Sequence, residues 1–196
     1  MSTMPMRFLA VALPIVLLSA GCGGNAPAED PPLAGAAIGG PFELVDKTGK
    51  TVRWSDFDGK YRVVYFGYTY CPDVCPTTLA EATGWKQQLG LDDDQLRIVF
   101  VSVDPERDTL EHTQGYLTNF GPDVMGLVGD QAQTEQIKRS YGVFSEKTEV
   151  EGSTEYLMNH TASVFMIDDE GEFFGTIAYQ EDNQTALDKV RRLTGA

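Results

Sequence analysis

Cys71 and Cys75, separated by Pro72-Asp73-Val74, are the residues of this 196-residue chain whose type and spacing most directly offer chemistry. A strand-like run, Arg62 to Tyr68, ends just before them, and Pro76 stands where a helix would begin. A helix N-terminus presents unpaired N–H groups and a partial positive charge, which favour a thiolate and bring cysteine pKa values to ~3.5–7.5. In a helix-like turn, four residues at 1.5 Å rise place the two Cα atoms about 6 Å apart. That separation closes into a disulfide or leaves two sulfurs facing one ion. Two inert structural cysteines are the plain alternative.

His160 immediately precedes another apolar run, Thr161 to Ile167, at the kind of element end from which functional side chains project. Two thiolates and one imidazole form a soft donor set that suits Cu(I) or Zn(II), whereas Mg and Ca take hard carboxylates. Zinc ordinarily completes a tetrahedron with a fourth ligand or a water. Cu(I) accepts three ligands, and Cu(II) outbinds Zn(II) at equal donors, so the set leans to copper. The chain's second histidine, His112, lies among Glu111, Thr113 and Gln114 and reads as solvated helix surface. Met158 is soft but is expected to pack with Leu157 and Tyr156 in a hairpin, and Tyr68 and Tyr70 are expected to wall the site. Asp104, before Pro105 at a strand end, reads either as a turn former or as a carboxylate beside the metal.

The elements that must hold these residues follow from hydrophobic periodicity. Phe42 to Val45 and Thr51 to Trp54 flank a Lys47-Thr48-Gly49-Lys50 turn, a hairpin signal, and Ser55 to Lys60 leads into the central strand. After Pro76, the stripe Leu79, Ala82, Trp85, Lys86 and Leu89 predicts a helix ending at Gly90. Leu96 to Val103 is a continuous apolar run of the kind found in buried parallel strands. Asp108 or Thr109 is placed to cap a helix to about Phe120. Val124 to Val128 reads as a short strand, Gln131 to Tyr141 as a helix, and Gly142 to Asn159 as an acidic hairpin or lid. Thr161 to Ile167 and Glu172 to Tyr179 form a closing hairpin, and Thr185 to Leu193 a final helix. This order predicts an α/β class: one thioredoxin-like domain over 40–196, a central mixed sheet flanked by helices, with N-terminal and inserted β-hairpins.

Hydrophobic residues make up 42% of the chain, enough for one domain with a proper core and an N-terminal extension. The net charge of −14 argues against binding nucleic acid or an anionic membrane face by charge. Only three cysteines are present and Cys22 stands apart, which excludes a disulfide scaffold and suits a reactive or ligand pair. Residues 1–21 read as a signal peptide, with Arg7 before the apolar run Phe8 to Leu18 and small residues Ser19-Ala20-Gly21 before Cys22. This segment resembles a bacterial lipoprotein signal, whose cysteine becomes the lipidated N-terminus; a plain secretory signal and an uncleaved anchor compete with it. Residues 22–39 then read as a lipid tether and flexible linker, and the 15 residues from Gly23 to Ala37 reach about 50 Å when extended. The expected location is the bacterial cell envelope, lipid-anchored, with the domain facing the periplasm or cell exterior.

Cys71-Pro72-Asp73-Val74-Cys75-Pro76, then Asp104-Pro105-Glu106-Arg107-Asp108-Thr109, then Asn159-His160-Thr161 resemble the Sco/SenC family of thioredoxin-like copper proteins. The resemblance runs from about Phe42 to the C-terminus. It implies a membrane-tethered copper chaperone that helps assemble the copper centres of cytochrome c oxidase, above all the dinuclear site of subunit II. Another copper-oxidase client and an upstream copper donor are the further partners it suggests. By this resemblance the copper ligands are Cys71, Cys75 and His160, with Asp104 a weak fourth group for oxidised copper, so the cofactor is Cu(I) or Cu(II). Asn159 departs from the aspartate often found before the histidine. A thiol–disulfide oxidoreductase acting on client cysteines is the alternative, although its redox motif usually has two residues between the cysteines and an X-Pro before the strand at Thr161. Peroxide reduction ranks last: Thr69 is near the cysteines, but the sequence places no arginine obviously beside them.

Overall fold

Two runs rich in branched and aromatic residues form the centre of the molecule, β3 (Tyr61–Gly67) and β4 (Leu96–Ser102). They pair in parallel from Tyr61↔Leu96 to Gly67↔Ser102, and both are buried on both faces, as parallel strands covered by helices must be. The computed structural model describes Met1 and residues 31–196. The leader beyond Met1, through residue 21, and Cys22 lie outside the described residues.

The flanking strands are β1 (Glu43–Asp46), β2 (Thr51–Arg53), β5 (Val124–Val128), β8 (Val164–Ile167) and β9 (Phe173–Ile177). With the two central strands they make a seven-stranded sheet of order β2-β1-β5-β4-β3-β8-β9. β5 runs parallel to β4, whereas β8 runs antiparallel to β3 and β1 antiparallel to β5, so the sheet is mixed as expected. Helices α1 (Val74–Gln88), α2 (Leu110–Leu117), α3 (Gln131–Tyr141) and α4 (Asn183–Thr194) accompany it. β6 (Ser145–Glu149) and β7 (Tyr156–His160) form a separate two-stranded sheet with Ser145 opposite His160.

Helix α1 starts earlier than the proline suggested. Asp73 is the N-cap and Val74 the first helical residue, which puts Pro76 at the third position. All of the first four helical N–H groups lack an intrahelical partner, so a proline costs little at any of them. Leu89 caps the other end and Gly90 follows at φ 65°, turning the chain out of the helix. The helix buries Cys75, Thr78, Leu79, Ala82 and Trp85. In α2 the Thr109 hydroxyl accepts the His112 N–H at 3.1 Å, the capping contact expected there.

Two boundaries differ from the sequence reading. Packing extends N-terminal of Gly40: the Gly35 N–H donates to the Phe173 carbonyl at 2.7 Å, and the Gly39 N–H to the Ser140 carbonyl at 2.8 Å. Ala36 and Ile38 lie against the core, so this part of the expected linker is docked by two apolar residues within a stretch of loop-like composition. The strand expected from Thr161 begins only at Val164. Thr161 instead closes the neck of the β6–β7 hairpin, its N–H donating to the Phe144 carbonyl at 3.0 Å and its hydroxyl accepting the Phe144 N–H at 3.1 Å.

Candidate metal centre

The loop leaving β3 carries Cys71 and is held from below by one buried carboxylate. Asp108 Oδ1 accepts the Thr69 hydroxyl at 2.5 Å, and Oδ2 accepts the Thr69 N–H at 3.2 Å and the Ser102 hydroxyl at 2.6 Å. Burial raises the Asp108 carboxyl pKa, and these hydrogen bonds oppose the shift. The loop therefore arrives at the helix with little freedom.

Cys71 caps the entry to α1 through sulfur, its Sγ accepting the Cys75 N–H at 3.3 Å. Donation from the Cys75 thiol and from the backbone N–H groups of Cys75 and Asp73 holds the Cys71 pKa well below the usual thiol range, against burial. Cys75 is fully buried in the first turn, and burial together with its neighbour pushes its thiol up. The two cysteines are free thiols. The pair thus gives up its first proton more readily than a free thiol and holds its second more tightly, with the outer sulfur the better placed to carry the charge.

His160 ends β7 and turns back over the helix N-terminus. Its Nδ1 lies 3.0 Å from the Thr161 carbonyl oxygen. A carbonyl only accepts, so Nδ1 carries the hydrogen and Nε2 presents a lone pair. That lone pair faces the sulfurs, with Cys75 Sγ at 3.5 Å. The Cys71, Cys75 and His160 donor atoms all lie within 4.8 Å of one another, the one group of its kind among the described residues. A trigonal ion with metal–donor bonds of 2.0–2.3 Å needs donors about 3.7 Å apart, so small side-chain adjustments close the triangle.

Aromatic rings wall this centre. His160 meets Tyr68 edge-on at 5.7 Å between centroids and Tyr65 at 6.1 Å. Burial raises the Tyr68 phenol to about 12, and nearby thiols add to the shift. A groove of about 430 Å³ opens over Cys71, lined among others by Tyr68, Val74, Met158 and His160. Met158 borders the groove and packs against the core, while its neighbour Leu157 is exposed. Tyr70 does not wall the site as expected: it is 43% exposed and stacks on His112 at 4.7 Å with rings 9° apart. His112 is exposed on α2, as its neighbours suggested.

Asp104 is buried, but its oxygens are engaged elsewhere, one by Arg107 Nε at 2.6 Å and the other by the Tyr156 hydroxyl at 2.8 Å. It is not among the three clustered donors. Arg107 is the arginine the sequence did not place. Its guanidinium lies 3.5 Å over Tyr156, 4.7 Å over Tyr70 and 5.8 Å over Tyr68. Gly67 was also missed: a Cβ there would stand 3.0 Å from Cys75 Sγ and 2.9 Å from the Phe100 ring. Its place as the last residue of an apolar strand, next to the cysteine loop, was the only available signal.

A family model for SCO1/SenC matches residues 30–195. The chain is 37% identical over 158 residues to the mitochondrial SCO2 protein of Saccharomyces cerevisiae, covering 79% of this chain and 52% of that protein. It is 35% identical over 140 residues to the human mitochondrial SCO1 homologue, covering 69% of this chain and 46% of that one. The chain thus spans about half the length of these relatives. The structure of Bradyrhizobium japonicum ScoI with copper bound is similar at a TM-score of 0.73 and 39% identity, over 80% of this chain and 99% of that chain. With both cysteines, the histidine and nearly the whole described domain inside the matched span, the chain belongs to the SCO1/SenC family.

Proposed function

We propose that this protein is an extracytoplasmic copper chaperone that carries one copper ion on Cys71, Cys75 and His160 and assists assembly of the copper centres of cytochrome c oxidase. The observation that carries the reading is the convergence of two sulfurs and a lone-pair nitrogen, all within 4.8 Å. The donor set is soft, which suits Cu(I). The copper-bound ScoI structure lends further support. Cu(I) takes the three donors as a trigonal set, and Cu(II) adds a harder ligand to them. Cargo leaves by ligand exchange. Client ligands displace Cys71 first, since Cys75 is fully buried and Cys71 lies at the rim of the groove.

Subunit II of the oxidase, or another copper-oxidase client, is the recipient in this reading, and an upstream donor loads the site. Lipidation of Cys22 tethers the domain to the membrane of a bacterial envelope, and Asp104 stays an indirect contributor. Anaerobic copper titration with X-ray absorption tests the site: two sulfurs and one nitrogen per copper are expected. Equal copper binding by a protein with Cys71, Cys75 and His160 all replaced would remove the proposal. Mass spectrometry of membrane fractions tests the tether, and an unmodified Cys22 there would refute it.

The split proton affinity of the two free thiols favours one second reading, reduction of client disulfides by Cys71 with Cys75 as the resolving thiol. His160→Ala separates the two activities, since it removes a copper ligand and leaves the dithiol. Reductase turnover that survives in that variant supports the second activity, and its loss together with copper binding rejects it.

A further inference from the structure

The Asp104-Pro105-Glu106-Arg107-Asp108 segment supplies none of the three clustered donors, yet each of its charged side chains is committed. On one side Asp108 grips Thr69, two residues before Cys71, through both its N–H and its hydroxyl. On the other side the segment reaches the hairpin that bears His160. Arg107 Nη1 donates to the Tyr156 carbonyl at 2.9 Å while the guanidinium stacks 3.5 Å over the Tyr156 ring. Asp104 binds Arg107 and accepts the Tyr156 hydroxyl. Glu106 pairs with Lys147 of β6 at 2.5 Å.

Besides these contacts, Met158 of β7 packs against the core and its backbone hydrogen-bonds the Tyr68 hydroxyl. The two strands of the hairpin form their own sheet and are not hydrogen-bonded into the seven-stranded one. At its neck Phe144 and Thr161 are joined by two hydrogen bonds. Tyr156 begins β7 and His160 ends it, a separation of about 13 Å at 3.3 Å per residue. The hairpin is therefore held at its neck near His160, at Met158, and at the Tyr156 end, the point farthest from the neck along β7. Releasing the Tyr156 end leaves β7 held by Met158 and the neck alone. The Asp104–Arg107 pair is well suited to hold that end, because it is almost wholly buried and hydrogen-bonded on both sides. Removing one partner of such a pair strands a buried charge.

We propose that this segment is a clasp that sets the distance between the thiols and the imidazole, with Arg107 as its positioning residue. The inference rests on the copper reading above. Asp104 and Arg107 touch no copper in this account. They act through Tyr156 on the pose of the hairpin, and so on whether His160 Nε2 stands over the sulfurs. Asp108 fixes the opposite half of the site from the same loop, so one short turn registers both halves.

The experiment compares the full wild-type chain with Arg107→Gln and Tyr156→Phe, each also in a His160→Ala background. Copper affinity is read by competition with a chelator, the nitrogen ligand by X-ray absorption, and hairpin opening by amide hydrogen exchange over residues 145–160 in the metal-free protein. Arg107→Gln should weaken copper binding by about 10–100-fold, the usual effect of losing an outer-shell partner. It should also lose the nitrogen signal and speed exchange in the hairpin while β3 and β4 stay protected. In the His160→Ala background the same change should alter affinity by about twofold or less, because the ligand it positions is already gone.

Tyr156→Phe keeps the ring under the guanidinium and removes only the bond to Asp104. It should shift all three readouts the same way by less, and it decides the matter if Arg107→Gln does not fold. Retained nitrogen ligation with unchanged hairpin exchange overturns the clasp, as do equal losses in both backgrounds. Should wild type itself show no sulfur–nitrogen copper site, the copper reading fails, and the exchange measurement alone decides whether the clasp holds the hairpin.

Discussion

Replacing Gly67 with alanine drives a methyl group into the back of Cys75. The added carbon would stand 3.0 Å from Cys75 Sγ, 3.0 Å from the Tyr65 ring and 2.9 Å from the Phe100 ring. An unstrained contact needs about 3.5–4.0 Å, so each neighbour has to yield by at least about 0.5 Å. None has room, since Cys75, Tyr65 and Phe100 are all essentially without exposed surface. Overpacking of this kind costs about 1–3 kcal/mol. Any shift of the sulfur changes its 3.5 Å separation from His160 Nε2 and so distorts the donor triangle. Gly84→Ala in α1 is the internal control, because its methyl would meet nothing nearer than Gln88 Nε2 at 3.8 Å. There alanine should stabilise by about 0.5–1 kcal/mol through helix propensity. Urea unfolding of the metal-free proteins and chelator competition for copper read the two effects. Gly67→Ala should lower both the unfolding midpoint and copper affinity, while Gly84→Ala raises the first and leaves the second alone. A Gly67→Ala protein as stable as wild type, or one that binds copper equally well, would refute the claim that this glycine seats the sulfur.

Three further outcomes follow from the charges and hydrogen bonds of the same loop. In the metal-free protein iodoacetamide should modify Cys71 and spare Cys75, and the Cys71 rate should persist as pH falls below the usual thiol value of ~8.5. Peptide mass spectrometry checks this, and equal labelling of both cysteines with one midpoint near that value contradicts it. Near pH 7.5, Cu(I) binding should release about one proton per ion, because Cys71 is already a thiolate and Cys75 gives up the proton the pair retains. Calorimetry in buffers of different ionisation enthalpy counts it, and two protons would be inconsistent with the split. Burial raises the Asp108 carboxyl, so its contribution to stability is full below the unfolded pKa of ~3.9 and is lost as pH rises through the folded value. Asp108→Asn should therefore gain stability relative to wild type between pH 3 and pH 7 in denaturant titrations, whereas Asp108→Ala, which strands the Thr69 N–H, should cost about 1–3 kcal/mol.

Periodicity carried most of the fold because most of it is decided locally. Gln131 to Tyr141 is helical over the expected bounds, with a capping box from Asp130 and Gln133 and a left-handed Gly142 at its end. The apolar runs around Tyr65 and Phe100 became the central strands, and the acidic stretch became the separate hairpin. What sequence did not reveal depends on partners far along the chain. Ile38 and Ala36 look like loop residues until Phe173 and Ser140 provide the acceptors beside which they dock. Tyr70 sits one residue before a donor cysteine yet turns outward, because His112 and Arg107 offer it flat partners. The pairing of Cys71 and Cys75 with His160 was legible as chemistry, since soft donors in one chain invite one ion. The means of holding them together was not, because Arg107 finds Tyr156 across 49 residues.

Sheet topology explains how donors 85 residues apart in sequence meet. Parallel pairing of β3 with β4 sets Gly67 beside Ser102, so the cysteine loop and the clasp loop leave the sheet at the same edge. Ligand sites in open α/β sheets gather at this edge, where strand carboxyl ends and helix N-termini converge. β8 runs the other way, with Val164 opposite Tyr65. Its beginning, not its end, therefore lies at that edge, and the residues entering it are the ones delivered to the cysteines. A histidine placed after β8 would reach the far side of the sheet, away from Cys71 and Cys75. The antiparallel strand thus requires the third donor to precede it, and the inserted hairpin supplies the length that carries His160 over the helix N-terminus. The hairpin in turn lies outside the main sheet and needs its own fastening, which is the physical reason a buried ion pair stands at Asp104 and Arg107.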